Sequence, residues 1–240
     1  MNIFSNPQSR SYARLTGAFY LSIAFAGAFA IGYVPSQIIV EGNAAATVGN
    51  IISKRDLYLL GIGADAFVMV IELMTLSMLY FMFKPVSATL SLAAAMARLS
   101  MVGVMAAMLF FHAGTLALIE PGETLKHFSA QQRTDLVGLL LDMHLAGVWI
   151  WQIFFALHLV LLGFLVAKSG RFPRLLGYAM MLGATGYAAD SIYSFAIPDF
   201  APLGYMRIGL LVIVSLAEVS FALWLLFRGP RLEPVTPVLA

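Results

Sequence analysis

Six apolar runs, separated by short polar breaks, organise the chain: residues 12–34, 57–83, 87–119, 136–167, 174–197 and 203–227. Each meets the roughly 20 residues that an α-helix needs to cross a bilayer. The third and fourth exceed that length, which predicts tilt, a kink or extension beyond the lipid. No long stretch alternates as a strand does, and a membrane β-strand would need only about ten residues. The pattern predicts an all-α, polytopic transmembrane helical bundle of about six spans.

The breaks carry their own signals. Pro85, Pro121, Pro173, Pro198 and Pro202 all fall in them, where a missing N–H costs least. Ser129-Ala130-Gln131-Gln132 has capping-box spacing, so the fourth helix is expected to start near Ser129, ahead of its lipid-embedded part. The longest break, 35–56, holds Asn43 to Ile52. That segment is expected to form a short helix at the outer interface, with a re-entrant segment as the alternative. The expected organisation is a flank over 1–11, a single transmembrane domain over 12–228 and a disordered tail over 229–240, which contains three prolines.

Composition agrees with this reading and narrows it. Hydrophobic residues make up 61% of the chain and charged residues 11%, against roughly 45–50% and about 25% in soluble domains. With a mean hydropathy of +0.89, a water-soluble globule would lack the polar surface to cover itself. The chain has no cysteine, which removes disulfides, thiolate nucleophiles and Cys-ligated metals. No cleavage site closes the first apolar run as a signal peptide would. Gly61-Ile62-Gly63 lacks the rest of a nucleotide fingerprint, and nothing supports nucleic-acid binding.

Charge sets the orientation. With six spans, the termini and the second and fourth breaks share one side, which holds eight bases (Arg10, Arg14, Lys84, Lys168, Arg171, Arg174, Arg228, Arg231) and one acid, Glu233. The other side holds five bases (Lys54, Arg55, Lys126, Arg133, Arg207) against six acids (Glu41, Asp56, Glu120, Glu123, Asp135, Asp199). By the positive-inside rule both termini are expected to be cytoplasmic.

One stretch is recognisable. It reads Phe154-Phe155-Ala156-Leu157-His158-Leu159-Val160-Leu161-Leu162-Gly163 and continues through Lys168-Ser169-Gly170-Arg171-Phe172-Pro173-Arg174-Leu175-Leu176-Gly177, followed by Tyr187-Ala188-Ala189-Asp190-Ser191. Together with Ala44 to Ile51, Leu79-Tyr80 to Arg98-Leu99, and His144 before Gly147, it resembles the bacterial membrane family known as domain of unknown function 4386. The resemblance covers about residues 12 to 225. It departs at Ala156, where the family pattern usually has Gly, and that bears on close helix packing. It implies a single domain of six or seven spans in a bacterial cytoplasmic membrane, and it implies no reaction.

Ionisable residues inside spans are costly and are functional candidates by default. By helical rise, Asp65, His112, Asp142, His144 and Asp190 all lie roughly 9–12 Å below the outer boundary. With Trp151 and Tyr187 they are the expected lining of one polar pocket in the outer half. Asp142 and His144 are two apart, about 200° around the helix, so both cannot point inward. Deeper lie Glu72, Arg98 and Glu218, the expected buried charge pair, with two acids competing for one base. The alternative for Arg98 is snorkelling toward the cytoplasmic face. His144, Trp151 and His158 form one stripe, but the two histidines are about 21 Å apart by rise and cannot share a metal.

Three chemistries remain open for the outer layer. Its nitrogen and oxygen ligands suit zinc, iron or manganese, with His112, His144 and Asp190 the candidate ligands. A water-filled binding pocket without metal is the second. The third is plain polar pairing that pins helices together. Gly103 with Ala107 and Ala179 with Gly183 are small-residue pairs expected to allow close helix approach. The functional classes left are a protein binding or acting on a lipid-like or small amphiphilic molecule, a proton-coupled carrier, and an accessory subunit of a membrane complex or homo-oligomer. Membrane lipids are partners in every case. A carrier calls for broken helices and an internal repeat, and neither is visible.

Overall fold

The computed structural model describes residues 3–120, 122 and 125–231. Among them every regular element is helical. Helix α1 (Arg10–Gly27) passes through a π-helical turn (Ala28–Tyr33) into α2 (Val34–Ile38), making one rod of 29 residues, Arg10–Ile38. The break expected at Pro35 therefore begins only after Ile38. A proline ring in a helix clashes with the carbonyl four residues back and offers no N–H. The wide turn just before Pro35, where Val34 N–H donates to the Phe29 carbonyl, absorbs that misfit without ending the helix.

Helix α3 (Ala44–Ser53) starts at Asn43, whose side chain accepts from Ala46 N–H at 2.9 Å. Five long helices follow: α4 (Arg55–Phe83), α5 (Ala88–Ile119), α6 (Ala130–Lys168), α7 (Arg174–Ala196) and α8 (Ala201–Phe227). Ser129 and Gln132 form the reciprocal capping box at the start of α6. Among the described residues five helices, α1–α2, α4, α5, α6 and α8, are long and apolar enough to cross a membrane. Helix α7 is the least apolar of the long helices. Its 23 residues still give a rod of about 35 Å, wedged between α6 and α8.

The six rods close into a ring in chain order, α1–α4–α5–α6–α7–α8, with α8 returning to α1. The main apolar core runs inside the ring from Tyr12 and Phe83 near one end to Val68 and Met105 about halfway along α4 and α5. A second cluster, built on Val34, Ile38, Ile51, Tyr58, Leu118 and Val137, seats α3 across the other end. Asn50 fixes α3 there by donating to the Ile38 carbonyl at 3.0 Å.

Glycine sets how closely the rods approach. A Cβ on Gly17 of α1 would sit 2.7 Å from the Ala222 carbonyl oxygen of α8, so these helices touch backbone to backbone at that end. Gly183 presses on Val214 in the same way. Gly103 does not: nothing lies within 4 Å of the space its Cβ would take, so that pair mediates no helix contact. Spacing alone cannot tell a small residue that meets a neighbour from one that faces lipid. The chain expected to be tail is also held at its start, where Trp224 Nε1 donates to the Gly229 carbonyl at 3.0 Å and Arg231 N–H donates to Arg171 at 2.9 Å. The rest of that tail, 232–240, lies outside the described residues, as do Pro121 and Glu123.

Candidate functional site

The expected site residues fall into three places rather than one pocket and one pair. The first is the middle of the ring. Arg98 of α5 is 0% exposed, so it does not snorkel. Its Nε forms an ion pair with Glu72 of α4, and its Nη1 meets His158 Nε2 of α6 at 3.0 Å. His158 Nδ1 lies 2.8 Å from the Ala94 carbonyl, which can only accept. That holds the ring in the Nδ1–H tautomer and leaves Nε2 as acceptor for the guanidinium. The Arg98 guanidinium also lies over the rings of Tyr20 and Phe155, 5.0 and 5.6 Å from their centroids, so two aromatic faces replace much of its lost hydration.

Glu218 of α8 stands beside this group and takes no part in the ion pair. Tyr20 donates to one of its oxygens at 2.7 Å and Tyr187 to the other at 3.4 Å. The competition of two acids for one base is thus settled by geometry: Glu72 receives the guanidinium and Glu218 two phenols. One donor is left over, since Arg98 Nη2 is buried and has no hydrogen-bond partner among the described residues.

These side chains border a cavity of about 410 Å³ to which all six long rods contribute, including Trp151, Phe155 and Tyr187. Its exposed lining residues are Ala24, Ala28 and Ile31 on the first rod and Ser215 and Val219 on α8. The mouth therefore lies between these two rods, part-way along both. The rods touch at Gly17 and Ala222 and separate toward the π-helical turn, which supplies Ala28 and Ile31 to the rim.

The second place is nearer α3. Asp65 of α4, His112 of α5 and His144 of α6 each bring one ligand atom to within 4.8 Å of the others, and all three are half-buried. The third is the ion pair of Asp190 with Arg207 of α8, whose guanidinium also lies 4.0 Å from the Tyr193 ring centroid. Asp190 is thus engaged elsewhere and is not part of the Asp65 group. Asp142 is exposed on the outside of α6, as the 200° offset from His144 requires.

Several partners do not follow from the sequence reading: Tyr20 and Phe155 around Arg98, Tyr58 on His112, and Arg207 on Asp190; His158, which the sequence places only in a stripe with His144 and Trp151, joins Arg98. Arg207 was counted with the outer connection but sits inside α8 (Ala201–Phe227). Its signal was available, because Asp190 and Arg207 are each about two turns from the same end of adjacent helices.

Fold and composition define a polytopic α-helical membrane protein with a polar centre. Within that class the chain belongs to the family described as domain of unknown function (DUF4386), which it matches over residues 15–229. A curated relative, an uncharacterised protein of Archaeoglobus fulgidus, is 42% identical over 84 residues, 35% of this chain and 46% of that protein. The match thus spans about half the relative's length. No solved structure matches the chain.

Proposed function

We propose that the protein binds a lipid-like or small amphiphilic molecule in the central cavity, taking it up sideways from the bilayer between α1–α2 and α8. The observation that carries this is a cavity with an apolar mouth bordered by buried Arg98, one of whose N–H groups has no partner among the described residues. At about 410 Å³ it falls in the roughly 300–1,000 Å³ range of small-molecule sites. Its chemistry narrows the ligand. Two carboxylates face one guanidinium, so an additional anion is repelled. A hydroxyl or amide fits better, accepting from Arg98 and donating toward Glu218 or a tyrosine oxygen. We further place the whole chain from 12 to 228 in one domain of the bacterial cytoplasmic membrane, with both termini cytoplasmic.

The test uses Trp151, which borders the cavity. In a Trp149→Phe, Trp224→Phe background, a brominated monoacylglycerol should quench Trp151 fluorescence saturably, and a brominated fatty acid should do so more weakly at neutral pH. Replacing Ala24 and Ser215 at the mouth with Phe should abolish the saturable component while a monodisperse elution profile is retained. Quenching that rises linearly with the bromolipid fraction, in both backgrounds, would refute a specific site.

A further inference from the structure

We propose that Asp65, His112 and His144 form a binding site for one divalent first-row transition ion of the zinc and iron class. Three separate rods supply the ligands, and each does so two turns from a cavity-lining residue or carboxylate: Asp65 from Glu72, His112 from Met105, His144 from Trp151. The site therefore stands one to two turns, about 5–10 Å, from the central cavity along the helix axes, Asp65 being one turn from Val68 of its lining. It lies between the two apolar clusters, next to Tyr58 of the second one.

The packing that brings the ligands together is specific. Gly147, one turn beyond His144, meets Met108 of α5 so closely that a Cβ there would fall 2.5 Å from the Met108 Cγ. That contact draws α6 against α5, and His144 Nδ1 reaches the Met108 carbonyl at 3.3 Å. A carbonyl only accepts, so Nδ1 carries the proton and Nε2 keeps its lone pair. His112 Nδ1 lies 2.7 Å from the Tyr58 hydroxyl, which anchors that ring at one nitrogen and leaves the other. Its ring centroid is 4.0 Å from that of His144. Both histidines thus have the arrangement of metal-bound imidazoles, one nitrogen held by an oxygen and the other available.

Asp65 supplies the second, independent observation. A carboxylate within a spanning helix is expensive and is ordinarily paired. Asp65 makes no hydrogen bond or ion pair among the described residues, although two imidazoles stand beside it. A cation answers that deficit. Donors bound at about 2.0–2.2 Å around a tetrahedral ion are about 3.4 Å apart, so drawing in atoms now within 4.8 Å takes side-chain rotation without moving a helix. Two neutral imidazoles and one carboxylate, with no thiolate, suit zinc or ferrous iron over calcium or magnesium, and they leave coordination positions open. This site stands apart from the amphiphile reading and does not depend on it.

The experiment is metal analysis of the full-length, tag-free protein in detergent, followed by cobalt titration. We expect close to one zinc or iron per chain as isolated. After chelation, one equivalent of Co²⁺ should give visible d–d absorption that Zn²⁺ displaces. Asp65→Asn, His112→Asn and His144→Asn should each weaken Co²⁺ binding at least tenfold, and Tyr58→Phe, one bond further out, by about 10–100-fold. His127→Asn, at the exposed histidine outside the group, should leave binding unchanged. Should a triad variant fail to fold, the wild-type titration decides alone: no bound metal as isolated and no saturable Co²⁺ spectrum would overturn the site. Stoichiometric binding that persists in folded triad variants would do so too.

Discussion

Gly163 of α6 and Gly177 of α7 face each other backbone to backbone, so that a methyl group on either would land on the carbonyl oxygen of the other. This mutual contact pins the two helices directly beside the Lys168–Pro173 connection. Neither wall is a flexible side chain that could move aside, so Gly163→Ala or Gly177→Ala must push the helices apart. Overpacking of this kind costs typically about 1–3 kcal/mol. Gly103→Ala has open space and should be neutral or stabilising by up to about 1 kcal/mol, since alanine loses less chain entropy in a helix. Thermal unfolding of the three variants in detergent checks this. Equal melting of Gly163→Ala and Gly103→Ala would contradict the packing.

The Arg98 centre predicts a different pattern. Removing one partner of a buried ion pair leaves the other charge uncompensated and costs about 3–5 kcal/mol. Arg98→Ala should therefore destabilise strongly, and the double variant Arg98→Ala, Glu72→Gln should recover part of the loss. Glu218→Gln keeps an acceptor for Tyr20 and removes no ion pair, so it should cost much less. A melting curve for Arg98→Ala that overlays the parent would remove the centre from the account of stability.

Much of this was legible in the sequence, for physical reasons. The six apolar runs, the Ser129 capping box and the short helix after Asn43 follow from local pattern, and each stands in the structure within a few residues. Counting turns along a helix also placed Asp65, His112 and His144 at one depth. What turns cannot supply is the angle at which helices meet. Depth grouped Asp190 and Asp142 with the histidines, yet Asp190 turns to Arg207 and Asp142 to the outside. The closing contact of α8 on α1 is likewise invisible to local pattern, because Tyr20 and Glu218 are 198 residues apart. The merging of Trp151 and Tyr187 with the Arg98 centre, rather than with the histidines, follows from that closure.

The Asp190–Arg207 pair is only partly shielded, with side-chain exposures of 11% and 25%. It should therefore matter less than the fully buried Arg98. Asp190→Asn keeps an acceptor but loses the charge, and a hydrogen bond to a charged group contributes about 1.5–3 kcal/mol. Asp142→Asn removes an exposed carboxylate and should leave melting unchanged. The order expected in a chemical or thermal melt is Arg98→Ala most destabilised, Asp190→Asn next and Asp142→Asn at the parent value. Asp142→Asn falling below Asp190→Asn would contradict the placement of both residues.

Orientation can be tested in a chain that has no cysteine of its own. The side carrying both termini holds eight bases and one acid, the opposite side five bases and six acids. With Arg207 inside α8 and bound to Asp190, the second side is left with four bases in or at the edge of its connections: Lys54, Lys126, Arg55 at the first residue of α4 and Arg133 in the first turn of α6. Pairing of Arg207 with Asp190 thus widens the asymmetry on which the positive-inside rule acts. A cysteine at Ser9, in the flank before α1, should be inaccessible to a membrane-impermeant maleimide added to intact cells and should react once the membrane is opened. A cysteine at exposed Glu41, between α2 and α3, should react from outside without permeabilisation. The reverse labelling of these two positions would invert the orientation. The Asp65–His112–His144 group, two turns from Glu72 toward α3, would then face the cytoplasmic half of the bilayer instead of the outer half.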